Sequence, residues 1–357
     1  MRKRGNGGHG LNHITRRAQM RHGVVLAGVA ILLSLFLLGN PVGAIEKGPD
    51  GKIILRMAHS SPVGNPTDIA SKKWIELIGQ RTGGKVEVKL FPNEQLGSEK
   101  ACLEGVVLGT IDISLNDAAY VADLYPIAGV FDFPFTFRDW DHYAAMLKHP
   151  MFPEMATIIE KEVGVKTLAI WIYGRRLLIS KKSVSSPADA KNLKIRTPPS
   201  ELAQENARVL GGIPVTIAFS ETYMGLKQGL ADAAENPSTA IYDQKWYEVA
   251  KYLAMTNHVW NNEILTMSKK TWEAFTPEQR KIVQDTSNEV AVYRMDLQKQ
   301  METSRVEDLK KLGMQVVVPP SLDPYRKLAA EIKAKYSARY AKYEWAKWHD
   351  RVLSIGK

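Results

Sequence analysis

Arg196, Phe219 and Asn236 are the side chains of this sequence best placed to do chemistry. Each stands at the end of a strand-like run within KIRTPPSELAQENARVLGGIPVTIAFSETYMGLKQGLADAAENP, residues 194–237. A short apolar strand runs into Arg196, and a helix-like stretch then stops at Gly211-Gly212. A second strand covers Ile213 to Phe219, a second helix from Ser220 stops at Gly229, and a third strand ends at Glu235-Asn236. That order predicts a βαβαβ unit. Parallel strands gather their C-terminal ends on one sheet edge, where α/β folds bind ligands. A cation, an aromatic ring and an amide on that edge suit a small organic anion. The planar fork of a guanidinium matches a carboxylate with two charge-assisted bonds, a geometry lysine lacks. Thr197-Pro198-Pro199 keeps the backbone after Arg196 extended and so fixes its direction. Arg175-Arg176, after a further strand, adds two cations. The Asn236 amide, constrained by Pro237, can donate to a carboxylate or accept from a hydroxyl. Phe219 either covers an apolar ligand face or packs in the core. Glu235 is read as a support for a neighbouring Arg or helix.

The elements that position these groups have a counterpart upstream. Ile53–His59 reads as a strand. Asn65-Pro66 offers an N-cap and a Pro at the first helical position, and the helix runs to about Gln80 before Thr82-Gly83-Gly84. Lys85–Phe91 alternates as a strand. Ser98 caps a helix with Glu99 in its first turn, where the macrodipole favours an acid. Gly109 ends that helix, and Ile111–Leu115 leads into Asn116-Asp117. Asp117 could accept hydrogen bonds from ligand hydroxyls; beside an anion it implies a hydroxylated ligand. Two units of one pattern suggest two α/β domains facing one another across a cleft, a favoured ligand position. The alternative is one large sheet.

Elsewhere, the aromatic run VFDFPFTF (130–137) is core or a pocket wall, with Phe135 and Phe137 the candidates for a wall. Asp139–Leu147 and Met155–Val163 read as helices, and Val165–Ile172 as a strand leading to Tyr173-Gly174-Arg175-Arg176. Helices are expected over Thr239–Leu253, a strand over His258–Leu265, helix through Ser268–Met301, a strand at Gln315–Val318 and one long helix over Tyr325–Leu353. The expected domains are 45–173 with a return at 262–301, 174–261 with a return at 302–323, and a C-terminal helix over 324–357.

Residues 1–44 are set apart. They hold six Lys and Arg and no acid, then an apolar run Val24–Leu38, Asn40-Pro41 and Val42-Gly43-Ala44. This is the pattern of a secretory signal cut after Ala44; the rival is an uncleaved anchor, for which the apolar run falls short of the ~20 residues of a span. Arg16-Arg17 is a poor match to twin-arginine export. The net charge of +10 includes those six cations, leaving +4 for the rest, too little to argue for a nucleic-acid partner. Cys102 is the only cysteine, so no internal disulfide can form; it reads as a small buried hydrophobe. No His/Cys cluster has metal-ligand spacing, and no cofactor motif is present.

The chain resembles the DctP-type substrate-binding proteins of tripartite ATP-independent periplasmic (TRAP) transporters. FPNEQLGSE, PADAKNLKIRTP, AFSETYMGLKQG, ADAAENP and YEVAKYLAMTNH carry the likeness, which covers Ile53 to about Asp323. It implies an α/β two-domain periplasmic solute-binding fold, each domain a mixed sheet flanked by helices, with a ligand cleft between them and hinge closure. It assigns the carboxylate salt bridge to Arg196, a further contact to Arg176 and less so Arg175, and positions at the ligand to Asn236, Phe219 and Asp117. An early polar or His contact points to His59, and Glu99 falls near the cleft entrance. The family's Asp-Gly-Gln-Glu-Asn-Pro is here Asp232-Ala233-Ala234-Glu235-Asn236-Pro237, and Pro198 and Pro199 occupy places where some sugar-acid binders carry a polar residue. The expected function is capture of a small organic acid, a sugar acid such as a hexuronate or else a dicarboxylate, and delivery to membrane permease subunits from the periplasm. The competing classes are a secreted enzyme acting on organic acids, for which no G-x-S-x-G or H-E-x-x-H motif is found, and a receptor of another transport or sensing system.

Overall fold

The computed structural model describes residues 46–48 and 50–357; the segment read as a signal, 1–44, lies outside the described residues. After a two-residue edge strand β1 (Glu46–Lys47), the first unit folds as β2 (Ile53–Ala58), α1 (Pro66–Arg81), β3 (Val86–Phe91), α2 (Glu99–Leu108) and β4 (Ile113–Asp117). The local signals do what their chemistry requires. Asn65 Oδ1 accepts the Thr67 N–H at 3.0 Å to cap α1, and Gly109 ends α2 at φ 73°, a left-handed turn that costs glycine little. Next come α3 (Ala118–Leu124), a 3-10 turn over Pro126–Phe131, α4 (Trp140–Lys148), α5 (Met151–Val163) and the 16-residue strand β5 (Val165–Ser180). The second unit repeats the first: β6 (Lys194–Thr197), α6 (Glu201–Val209), β7 (Ile213–Thr216), α7 (Thr222–Gln228) and β8 (Ala233–Pro237). The chain ends with α8 (Ser238–Asp243), β9 (Tyr252–Ala254), β10 (Trp260–Ser268), α9 (Lys269–Ala274), α10 (Pro277–Lys311), β11 (Gln315–Val317), α11 (Asp323–Arg339) and α12 (Trp345–Ser354).

In the first half β2 pairs parallel with β3 and β4, and β10 pairs antiparallel with both β4 and β5. In the second, β6 pairs parallel with β7 and β8, and β8 pairs antiparallel with β5. Strand β5 belongs to both. Val165–Arg175 faces β10, while Arg176–Ser180 faces β8 and β9. The two halves are therefore separate mixed sheets joined by one strand, so each sequence alternative describes part of the arrangement.

Each half has its own core. Leu55, Trp74, Ile113, Trp171 and Val283 fill the first, and Leu177, Leu226, Trp246, Leu253 and Leu309 the second. The 35-residue α10 begins against one and ends against the other. A third cluster, with Phe131, Phe133, Phe137, Leu202, Tyr336 and Trp345, packs α11 and α12 across both. Trp74 and Trp171 are fully buried, and both indole N–H groups find Ser287, at 3.0 Å on its hydroxyl and 3.3 Å on its carbonyl.

Several element boundaries differ from the sequence expectation. Thr239–Leu253 is not continuous helix. Lys245 takes a left-handed φ of 56°, and Tyr252–Ala254 extends to pair with β5 and, in parallel, β11; completing the sheet outweighs helical propensity there. The expected 325–353 helix breaks at Tyr340–Glu344, with Glu344 at φ 53°. The break lets Tyr336 and Trp345 both pack on Phe133, with ring centroids 6.1 and 5.0 Å away. Among the described residues no helix is long and apolar enough to cross a membrane.

Candidate ligand-binding site

The ends of β4, β6 and β8 converge on one pocket at the junction of the two halves. Glu99, Asp117, Arg176, Arg196, Phe219 and Asn236 all line it, together with Ser60, Tyr120, Tyr173, Pro198 and Glu263. The cavity is only about 20 Å³, room for about one water.

Arg196 sits on β6 with 1 % of its surface exposed. Its Nε donates to the Ile217 carbonyl at 2.9 Å, which holds the guanidinium flat, and its Cζ lies 5.9 Å from the centre of the Phe219 ring. Phe219 is itself propped edge-on against Trp246. Nη2 is buried without a hydrogen-bond partner, and no carboxylate among the described residues forms an ion pair with Arg196. Burial pushes its pKa down. An uncompensated buried guanidinium is costly, and the cost is removed by an acceptor that enters from outside. Asn236 ends beside it on β8, 2 % exposed, with Oδ1 likewise buried and unpartnered.

Arg176 is in a different state. Its Nε donates to Glu235 Oε2, its Nη2 to Glu235 Oε1 at 2.9 Å and to the Glu235 carbonyl at 3.0 Å, and its Nη1 to Asn261 Oδ1 at 2.5 Å. Burial works against its charge, but Glu235 and Asp117 more than offset this and raise its pKa. Glu235 takes up the supporting position read from the sequence. Behind it, Asn261 Nδ2 donates to Asp132 Oδ2 at 2.9 Å, and the Asn262 N–H to Asp132 Oδ1 at 2.7 Å, so a buried polar network fixes the Arg176 fork.

The opposite wall is acidic. The Asp117 N–H donates to Glu99 Oε1, and Ser60 Oγ donates to Glu99 Oε2 at 3.1 Å. Asp117 Oδ2 stands 3.6 Å from Arg176 Nη1. Burial raises the Asp117 pKa to about 6 despite Arg176 nearby. Burial and the charge of Asp117 push Glu99 well above the usual range. Glu263 is paired in register with Asp117 across β4 and β10. Burial raises it to about 7, with Arg294 opposing.

Two sequence candidates do not line the pocket. His59 is fully buried and turned toward Asp68, 3.7 Å from its Oδ1. Arg175 neighbours Arg176 on a strand, and successive strand side chains take opposite faces. It donates to Glu302 Oε2 through Nε at 2.8 Å and lies over Trp140 and Trp260 at 5.6 and 5.7 Å. The sequence reading missed Ser60, Tyr120, Tyr173 and Glu263. The Asn261-Asn262-Glu263 triplet, polar inside a strand that is buried throughout, is the signal that could have found Glu263. Cys102 is buried in α2, and burial raises its thiol to about 11. Among the described residues no group of three or more His, Cys, Asp or Glu is arranged to hold a metal.

The model of the bacterial extracellular solute-binding proteins, family 7 (DctP), matches residues 57–339. The chain is 31 % identical over 289 residues to the 2,3-diketo-L-gulonate-binding periplasmic protein of Escherichia coli, covering 81 % of this chain and 87 % of that one. Among solved structures, a TRAP periplasmic solute-binding protein of Pseudomonas putida with bound D-glucuronate superposes with a TM-score of 0.80 at 27 % identity, covering 85 % of this chain and 98 % of that one. One of Desulfovibrio salexigens with bound orotic acid gives a TM-score of 0.80 at 29 % identity, covering 84 % and 98 %. A mixed α/β architecture of two halves, a pocket at their junction and a family match over most of the described residues agree: this chain belongs to the DctP-type, family 7 bacterial extracellular solute-binding proteins.

Proposed function

We propose that the protein is the periplasmic receptor of a TRAP-type transporter and captures a hydroxylated monocarboxylate, with sugar acids the first class to test. One observation carries this reading: Arg196 is a buried, directed guanidinium with an unpartnered Nη2 and no carboxylate partner among the described residues. The ligand carboxylate takes that place, with Arg176 and Asn236 as further donors and Phe219 under its apolar face. The acidic wall of Glu99, Asp117 and Glu263 then accepts from ligand hydroxyls. Asp117 on that wall disfavours a second ligand carboxylate, and of the two cations that a dicarboxylate could have used, Arg175 faces elsewhere and Arg176 is already paired with Glu235. The relatives that carry 2,3-diketo-L-gulonate and D-glucuronate in their names support the same class.

A cavity of about 20 Å³ does not admit a six-carbon acid, so the two bodies must part to load and close to hold. We assign the bodies as 45–173 with 262–301 and 174–261 with 302–323, with 324–357 strapped across them, and residues 1–44 as the export signal. The closed form is the one offered to the permease subunits. No catalytic pair is assigned; the reading is capture without turnover. The test is a thermal-shift screen of hexuronates, aldonates and four-carbon dicarboxylates, followed by calorimetry, because a ligand of the native state alone raises the melting temperature. Sugar acids should raise it in the wild type and not in Arg196→Ala. A response confined to dicarboxylates, or one unchanged in the variant, would overturn the assignment.

A further inference from the structure

Arg175 was singled out by its position beside Arg176, yet the pocket does not use it. It borders a second cavity, of about 370 Å³, on the other side of the strand. Phe135, Phe137 and Trp260 form its apolar walls, and Arg138, Arg175 and Arg326 stand around it. This volume lies within the range of small-molecule pockets, which combine apolar walls with a few directed polar groups.

The three guanidiniums are held but not used up. Arg175 meets Glu302 through its backbone N–H at 2.5 Å and Nε at 2.8 Å, which leaves both terminal nitrogens without a hydrogen-bond partner among the described residues. Arg138 is tied by Nη1 and Nη2 to the carbonyls of Leu353 and Ile355, at 3.0 and 2.8 Å, and forms no ion pair with a carboxylate among the described residues. Arg326 lies 5.5 Å over the Phe135 ring and pairs with Asp323 at the surface at 3.0 Å. The rings are equally directed, Phe137 and Trp260 having centroids 6.2 Å apart.

The backbone around the cavity is strained. Phe135 and Asn257, both on its wall, take φ values of 58° and 43°. A left-handed conformation is uncommon for a bulky residue, and such strain persists where the surroundings impose it, often at ligand sites. The Phe135 N–H donates to the His258 carbonyl at 2.8 Å, and the half-buried ring packs against the adjoining core while also lining the cavity.

The geometry points to a second binding site here, separate from the Arg196 pocket, for a flat aromatic carboxylate. Its ring would lie between Phe135, Phe137 and Trp260, and its carboxylate would face the free terminal nitrogens of Arg175, with Arg138 and Arg326 supplying further positive charge. Calorimetric titration of the purified protein with indole-3-carboxylate tests this, with indole-3-carboxamide as the uncharged control. We expect one-to-one binding that persists in Arg196→Ala and weakens about threefold in an Arg138→Gln, Arg326→Gln double variant, as expected when two neighbouring positive charges that do not themselves bond the carboxylate are removed. The amide should bind about tenfold more weakly than the acid. Both substituted arginines reach the surface, so circular dichroism should show an unchanged fold. No binding of the acid would overturn the proposal. So would loss in Arg196→Ala with retention in the double variant, because the acid would then occupy the Arg196 pocket. Equal binding of acid and amide would exclude the guanidiniums as its basis.

Discussion

Arg196, the proposed carboxylate anchor, illustrates how a group kept for binding would oppose stability. Its burial without an acid partner among the described residues costs free energy that a bound carboxylate would restore. Arg196→Ala should therefore weaken sugar-acid binding about a hundredfold or more, the ~3–5 kcal/mol of a broken buried charge pair, as read by calorimetry. Arg196→Met should also abolish binding, yet stabilise the ligand-free protein by about 1 kcal/mol in urea titration, since a buried unpaired charge is replaced by an apolar chain. The acidic wall adds a pH dependence. Burial raises Asp117 from the usual 3.8 to about 6 and Glu263 from 4.5 to about 7. The folded state then holds protons that the unfolded chain has already released. Stability is complete below about pH 4 as far as these groups go, and falls as pH rises to about 7. Melting temperatures of wild type and Glu263→Gln across that range should converge at the acid end and separate above it, with the variant higher. A variant that tracks the wild type throughout would show that Glu263 keeps an ordinary pKa.

At the scale of elements, β5 carries the most. It changes partners between Arg175 and Arg176, from β10 to β8, and alternation along the strand sends these consecutive arginines to opposite faces. Gly174, just before the change, has φ 145°; a Cβ there would sit 2.6 Å from Glu302 Oε1 and 2.8 Å from Pro237 Cβ, and closer still to Gln298 Nε2. Gly174→Ala should cost about 2 kcal/mol or more by urea unfolding, through backbone strain and displacement of α10 from the crossing. A loss under half that would mean α10 can yield. Glycine and proline punctuation made the βαβαβ units legible: Asn65-Pro66, Gly109, Gly211-Gly212 and Gly229 mark true ends because each acts locally. Tyr252–Ala254 and the break at Tyr340–Glu344 were not legible, because a distant strand and a distant ring decide them.

For the whole molecule, the consequence is a pocket shared by two sheets. Away from the pocket, Asn65 Nδ2 of the α1 cap donates to Asp243 Oδ2 of α8 at 2.7 Å, a bond between the halves that opening would break. Asp243→Ala should leave the pocket intact yet weaken ligand binding about tenfold, mainly through faster release, because closure would leave a buried amide donor unsatisfied; stopped-flow displacement reads this directly, and an unchanged release rate would show that the contact does not hold the closed form. The residue types and their spacing were enough to establish the two repeated units and the strand-end positions of Arg196, Asn236 and Asp117, because strand ends and turns are written in short stretches of chain; the family was legible separately, as a resemblance carried by whole motifs. Together these ranked Arg176 above Arg175 without excluding Arg175 from the pocket, and could not tell that His59 faces Asp68 or that Glu263, from a strand more than a hundred residues past Asp117, completes the acidic wall. Those outcomes depend on strand pairing and on which face of the sheet a side chain takes, and only the assembled tertiary structure decides them.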